Sequence, residues 1–101
     1  MAAQKVQRRP KVIAAERKKP LGWFYLSFAE DTRFLGAAIV QARGILTAVE
    51  HCNDLGINPG GEVACWPIRE KDLYRISADL RNRRLSEEEV LKRLDGRWMG
   101  A

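Results

Sequence analysis

The clearest pattern in the chain is an aromatic-rich apolar stretch over residues 22–29, with a proline before it and two acidic residues after it. This composition is typical of a β-strand. Successive side chains of a strand point to opposite faces, so Trp23 and Tyr25 share one face with Ser27 and Ala29. The other set, which we expect to face the core, consists of Phe24, Leu26 and Phe28.

From residue 34 the apolar positions follow a helical period. At 100° per residue they form one stripe, and polar side chains lie opposite. The stripe consists of Phe34, Leu35, Ala38, Ile39, Ala42, Ile45, Leu46, Val49 and Cys52. Asp31 or Thr32 is placed to cap the start of such a helix, and Gly56 is placed to end it. The pattern therefore predicts a long amphipathic helix in which Cys52 is buried.

The sequence Asn58-Pro59-Gly60-Gly61 predicts a turn after this helix, because proline presets its own φ and glycine accepts positive φ. Residues 62–66 then alternate modestly and predict a second strand. Pro67 should end that strand or place it at a sheet edge, since proline donates no ladder hydrogen bond.

The C-terminal part predicts one or two short helices. Residues 69–84 are highly charged, and three of their apolar residues have helical spacing: Leu73, Ile76 and Leu80. The sequence around Ser86 and Glu89 is that of a capping box, and Leu85 and Val90 have the spacing of a hydrophobic staple. We therefore expect a helix over residues 87–94, ending near Gly96.

Together these elements predict the α+β class, as a small β-α-β unit with a long amphipathic helix, followed by the short C-terminal helices. A chain of 101 residues has room for a single core. We expect residues 1–20 to form a basic, disordered tail, within which residues 11–19 could form a short helix, and residues 21–101 to form one domain. Its apolar runs are too short to cross a bilayer, and the first twenty residues lack the continuous apolar core of a signal peptide, so we expect a cytoplasmic protein.

The net charge of +5 is unevenly distributed. Residues 1–20 contain seven basic residues and one acidic residue, a net charge of +6, whereas the remainder has eleven basic and twelve acidic residues, a net charge of −1. Attraction for phosphate would therefore reside mostly in the tail. The candidate polyanion-binding residues are Lys5, Arg8, Arg9, Lys11, Arg17, Lys18 and Lys19. The alternative is a tail that serves only as a solubilising extension.

His51, Cys52 and Cys65 raise the questions of a metal site and of thiol catalysis. A structural zinc site usually takes four ligands from paired short loops, which this spacing does not provide. A Cys–His catalytic pair needs a third group that orients the base, and the sequence identifies none. We therefore expect no cofactor and no metal, and reduced cysteines.

The turn is also a candidate ligand site, because glycine-rich turns can expose backbone amides to an anion. Its candidate residues are His51, Asn58, Gly60, Gly61 and Glu62. Phosphate-binding loops precede a helix, however, whereas this turn follows one. A purely structural connection is therefore the favoured interpretation.

Trp23, Tyr25 and Trp66 are interface candidates, because large aromatic side chains opposite the core face need a cover. The later helices or a second subunit could supply it, whereas an open aromatic face could stack RNA bases. Two predicted strands are few for a stable sheet, which favours a homodimer.

The leading functional hypothesis is a non-catalytic interaction module whose basic tail contacts nucleic acid or an acidic protein, with no membrane partner. The alternative is a small enzyme or ligand-binding protein that uses His51, Cys65 and residues 58–62. The residues do not identify a ligand or a biological process.

Overall fold

The computed structural model describes residues 4–5 and 10–94, with side chains from residue 13 onward. Three antiparallel strands form the body of the sheet, and a two-residue strand extends it. The elements in chain order are β1 (Gln4–Lys5), α1 (Pro10–Glu16), β2 (Gly22–Glu30), β3 (Arg33–Ala42), α2 (Ile45–Asp54), β4 (Glu62–Ile68), two 3₁₀ helices (Glu70–Arg75 and Ala78–Leu80) and α3 (Glu87–Arg93). The spatial strand order is β1-β4-β2-β3. The predicted α+β class is confirmed.

The predicted strand at residues 22–29 lies at the centre of the sheet as β2. It pairs antiparallel with β3 on one side and with β4 on the other. Phe24, Leu26 and Phe28 are buried on the face that α2 covers, as their alternation predicts.

The prediction of a long helix from residue 34 is wrong for the first half of that helix, because residues 33–42 form β3. Asp31 and Thr32, which we expected to cap the helix, instead lie in the tight β2–β3 turn, and Asp31 adopts a left-handed conformation with φ 55°. Ala38 and Val40 face the same core as Phe24, whereas Ala37 and Ile39 face the opposite core. A strand buried on both faces reads as a continuous apolar run, which also fits a helical stripe.

The amphipathic helix itself is α2, ten residues long. Gly56 follows its end with φ 71°, and the Ile57 amide donates to the Cys52 carbonyl at 3.0 Å. The predicted β-α-β order therefore changes to β-β-α-β after α1. Since β3 and β4 are both antiparallel to β2, α2 connects two parallel strands that have β2 between them.

The C-terminal segment of residues 69–94 covers the second face of the sheet. Where one helix was predicted over residues 69–84, the structure has two 3₁₀ helices, although Ile76 and Leu80 are buried there. The same segment protects the edge of β3, since Leu85 exchanges two backbone hydrogen bonds with Ala37.

The predicted capping box is present at the start of α3. The Ser86 hydroxyl accepts from the Glu89 amide at 3.2 Å, and the Ser86 amide donates to the Glu89 carboxylate at 3.1 Å. The helix ends at Arg93, one residue before the predicted end at Leu94, and Gly96 lies outside the described residues.

The N-terminal segment takes part in the fold earlier than the predicted boundary at residue 21. Gln4 and Lys5 pair with β4, and α1 packs against α2. Ile13 and Glu16 are buried, with exposures of 8% and 5%. Of the segment expected to be a disordered tail, the described part thus contributes an apolar side chain and a buried carboxylate to the domain.

Candidate functional site

Glu16, at the end of α1, caps the start of a different helix. One of its carboxylate oxygens accepts from the Leu46 amide at 3.1 Å, and the other accepts from the amide and the hydroxyl of Thr47 at 2.8 and 3.1 Å. Gly44, the N-cap residue of α2, offers no side chain for this purpose. A β-carbon at Gly44 would collide with the Glu16 carboxylate, so glycine permits the close approach. The Glu16 carboxylate thus lies at the positive end of the α2 helix dipole, where a negative charge is stabilising.

Three basic residues follow Glu16 directly and are exposed: Arg17, Lys18 and Lys19. The exposed Arg43, which comes just before Gly44, donates to the Lys19 carbonyl at 2.8 Å. We call Arg17, Lys18, Lys19 and Arg43 the basic cluster. Within residues 13–94, neither lysine of the cluster forms a side-chain ion pair, whereas Arg17 pairs with Glu50 at 2.9 Å across an exposed surface.

An open cleft of about 210 Å³ adjoins the basic cluster. Arg17 and Arg43 line it, together with His51 and the acidic residues Glu50 and Asp54. His51 therefore faces a cleft of mixed charge beside the cluster. The remaining lining residues are Leu21, Gln41, Ala42 and Thr47.

The cysteines do not offer a nucleophile. Cys52 is fully buried, as predicted, and Cys65 is also fully buried in the same core. Burial raises the pKa of Cys52 to about 12. Burial also raises the pKa of Cys65, and the neighbouring Cys52 and Glu16 raise it further. Both groups are therefore neutral thiols at pH 7, whereas nucleophilic attack and metal ligation need the thiolate.

The ligand-turn candidates do not converge on one site. Asn58 and Gly61 line a second cavity, of about 240 Å³, between α1, α2 and β4, whereas His51 lines the cleft beside the basic cluster. Gly60 and Glu62 are exposed. Across the described part of the chain, no three His, Cys, Asp or Glu side chains are grouped as metal ligands would be.

The hydrogen bonds of the turn are made within the turn and to α2. The Asn58 side chain donates to the Asn53 side chain at 2.7 Å and accepts from the Gly60 amide at 2.8 Å. Gly60 and Gly61 have positive φ values, and a β-carbon at Gly61 would collide with the Ala29 carbonyl. These contacts shape the connection from α2 to β4.

The aromatic candidates pack against the chain's own C-terminal segment. Tyr25 is 4% exposed and lies 5.5 Å from Trp66, ring centre to ring centre. Burial raises the pKa of Tyr25 to about 12. The Arg81 guanidinium lies 4.8 Å from the centre of the Trp23 ring and donates to the Ile76 carbonyl. Tyr25 is therefore buried within the chain itself, whereas Trp23 and Trp66 are partly buried.

Most other basic side chains already have partners. Ion pairs outside the basic cluster include those of Arg33 with Glu30, Arg69 with Asp72, Arg83 with Glu89, Lys92 with Glu88, and Arg93 with Asp79. The hydrogen bond from Arg83 holds the pKa of Glu89 at about 2, and the one from Arg93 holds the pKa of Asp79 at about 2. Two further arginines, Arg81 and Arg84, donate to backbone carbonyls.

Of the predicted polyanion-binding residues, Arg17, Lys18 and Lys19 lie in the basic cluster. Lys5 is in β1 and Lys11 is in α1, but their side chains, like the whole of Arg8 and Arg9, lie outside the described residues. Sequence reasoning missed Glu16 and Arg43. For Glu16 the sequence holds one signal, since it is the single acid among the first twenty residues, whereas it holds none for Arg43.

No protein-family model, curated protein or solved structure matches this chain. Among the helices of the described residues, none combines the length and the apolar character that a membrane span requires.

Proposed function

We propose that this protein is a non-catalytic module that binds the phosphate backbone of nucleic acid through the basic cluster. One observation carries the proposal: the hydrogen bond from Arg43 to the Lys19 carbonyl holds exposed cations from two chain segments together. Lys5, Arg8, Arg9 and Lys11 precede them in the sequence and bring the net charge of residues 1–20 to +6. A concentration of like charge on one side of a near-neutral domain attracts a polyanion.

The surroundings of the cluster favour nucleic acid over an acidic protein. Protein–protein interfaces have an apolar core in which aromatic side chains are enriched, whereas nucleic-acid interfaces are more polar and more positively charged. The cleft beside the cluster has one markedly exposed large apolar side chain, Leu21 with 53% exposure, and no aromatic lining residue.

The same surroundings favour contacts to phosphates over contacts to bases. Proteins that bind single strands stack bases on exposed aromatic rings, but no aromatic side chain lines the cleft beside the cluster. Tyr25 is buried, and Trp23 and Trp66 are partly buried, against residues 69–94. Phosphate contacts position a protein without reading sequence. We therefore expect binding with weak sequence preference.

Replacing Lys18 and Lys19 together by alanine should weaken binding to a fluorescein-labelled DNA duplex about tenfold at low salt, because two phosphate contacts are lost. Fluorescence anisotropy measures this affinity. The control is the double variant Lys71→Ala/Lys92→Ala, which removes the same charge from the C-terminal segment and should bind within about twofold of the unaltered protein.

Equal weakening by both double variants would mean that net charge alone attracts DNA and that the basic cluster is not the site. Polyglutamate provides a second arm of the experiment. If it displaces the duplex as efficiently as unlabelled DNA of the same charge concentration, an acidic protein replaces nucleic acid as the preferred partner class.

A further inference from the structure

The basic run of residues 17–19 is fixed at both of its ends. At one end, Glu16 is bonded to the first turn of α2 through Leu46 and Thr47. At the other end, the Lys19 carbonyl accepts from Arg43. Both attachments lead to one short segment, residues 43–47, in which β3 passes into α2.

We propose that Glu16, although it is an anion, is the positioning residue of the nucleic-acid site. This inference rests on the proposed function and assigns a role to a residue that does not itself contact the ligand. Glu16 is buried, so its charge faces the amides of α2 and not the surface on which a phosphate would lie. Its hydrogen bonds hold the three exposed cations beside Arg43 before the ligand arrives.

Preorganisation of this kind raises affinity because the ordering cost is met during folding instead of during binding. A free basic tail would behave differently, since each of its cations would have to be ordered by the ligand. The Thr47 hydroxyl lies 3.1 Å from both the Glu16 carboxylate and the Gly44 carbonyl, so it adds an uncharged donor at this attachment. Affinity for nucleic acid should therefore depend on this uncharged side chain as well as on the cations.

The test uses the variant Glu16→Gln, for which a pure charge model and the positioning model predict opposite changes. Glutamine has nearly the same shape and raises the net charge by one, so charge alone would tighten DNA binding. Its amide NH₂ group, however, would meet backbone N–H groups that also donate, so part of the attachment is lost. We expect binding to the labelled duplex to weaken by about three- to tenfold.

The charge control is Asp54→Asn, which makes the same change in net charge at an exposed side chain of the adjoining cleft. It should tighten binding by about two- to threefold. Thr47→Ala, which leaves the charge unchanged, should weaken binding, and Thr47→Ser should restore it because the hydroxyl returns.

The control for a loss of stability is the variant Ser86→Ala. It removes the cap of α3, which lies on the opposite side of the sheet from the basic cluster. Circular dichroism confirms that each variant is folded at the assay temperature, and Ser86→Ala should bind like the unaltered protein. If Glu16→Gln binds as tightly as Asp54→Asn, or if Ser86→Ala weakens binding as much as Glu16→Gln, the positioning role is refuted while the proposed function stands. Failure of the unaltered protein to bind the duplex at low salt would instead refute the proposed function.

Discussion

Replacing Phe28 by alanine should lower the free energy of unfolding by about 3–5 kcal/mol, the usual cost of removing a buried phenyl ring and leaving a cavity. Phe28 is fully buried in the central strand, where it lies opposite Gly36 of β3 and Val63 of β4. Glycine has no side chain with which to fill the vacated space. Urea denaturation followed by circular dichroism measures the change.

The control for this prediction is Leu91→Ala in α3. Leu91 is 75% exposed, so its replacement should change the free energy of unfolding by no more than about 0.5 kcal/mol. A loss below about 1 kcal/mol at Phe28 would show that the aromatic alternation of β2 has been assigned to the wrong face.

Removing residues 1–19, so that the chain begins at Pro20, should lower the free energy of unfolding by about 2.5–4 kcal/mol. The truncation removes the buried side chain of Ile13, whose burial stabilises the fold by about 1.5–3 kcal/mol. It also removes the Glu16 cap of α2, which contributes about 1 kcal/mol to the free energy of unfolding. The same denaturation experiment measures the loss.

The full-length variant Lys18→Ala/Lys19→Ala separates this effect from the loss of charge. Both lysines are exposed, and neither forms an ion pair within residues 13–94. The urea midpoint of this double variant should therefore match that of the unaltered protein. Unchanged stability after truncation would instead support the predicted division into a disordered tail and an independent domain.

Local patterns explain which elements could be predicted from the sequence. The strand β2 is recognisable because its aromatic residues have a proline on one side and acidic residues on the other. The capping box of α3 involves residues only three apart, so the sequence shows both partners at once. In both elements, tertiary packing agrees with the local preference.

The strand β3 could not be predicted because its periodicity is ambiguous. Its residues are apolar on both faces, and its β-branched residues, Ile39 and Val40, follow a run of glycine and alanine that does not favour a strand. Residues 69–94 cover the second face of β3 and so allow both of its faces to be buried. This segment contains no long regular helix, so its sequence does not show that it covers a sheet. Once β3 is counted, the sheet has enough strands, and the argument for a homodimer from too few strands no longer applies.

The candidate site was predictable as a charge pattern but not as a geometry. The excess of basic residues before Pro20 identifies Arg17, Lys18 and Lys19 without any structure. Arg43 lies 24 positions from Lys19, and Thr47 lies 31 positions from Glu16, so no local rule connects them. The sequence therefore predicts where the charge is, whereas the structure shows what holds it in place.

The salt dependence of DNA binding tests the central claim most directly. Affinity of the unaltered, full-length protein for a DNA duplex should be measured by anisotropy at several salt concentrations. If roughly four to six cations of the N-terminal region and Arg43 contact phosphates, log affinity should fall against log salt with a slope of about −4 to −5, because each contact releases condensed counterions. A slope near zero, or no binding at low salt, would contradict the account.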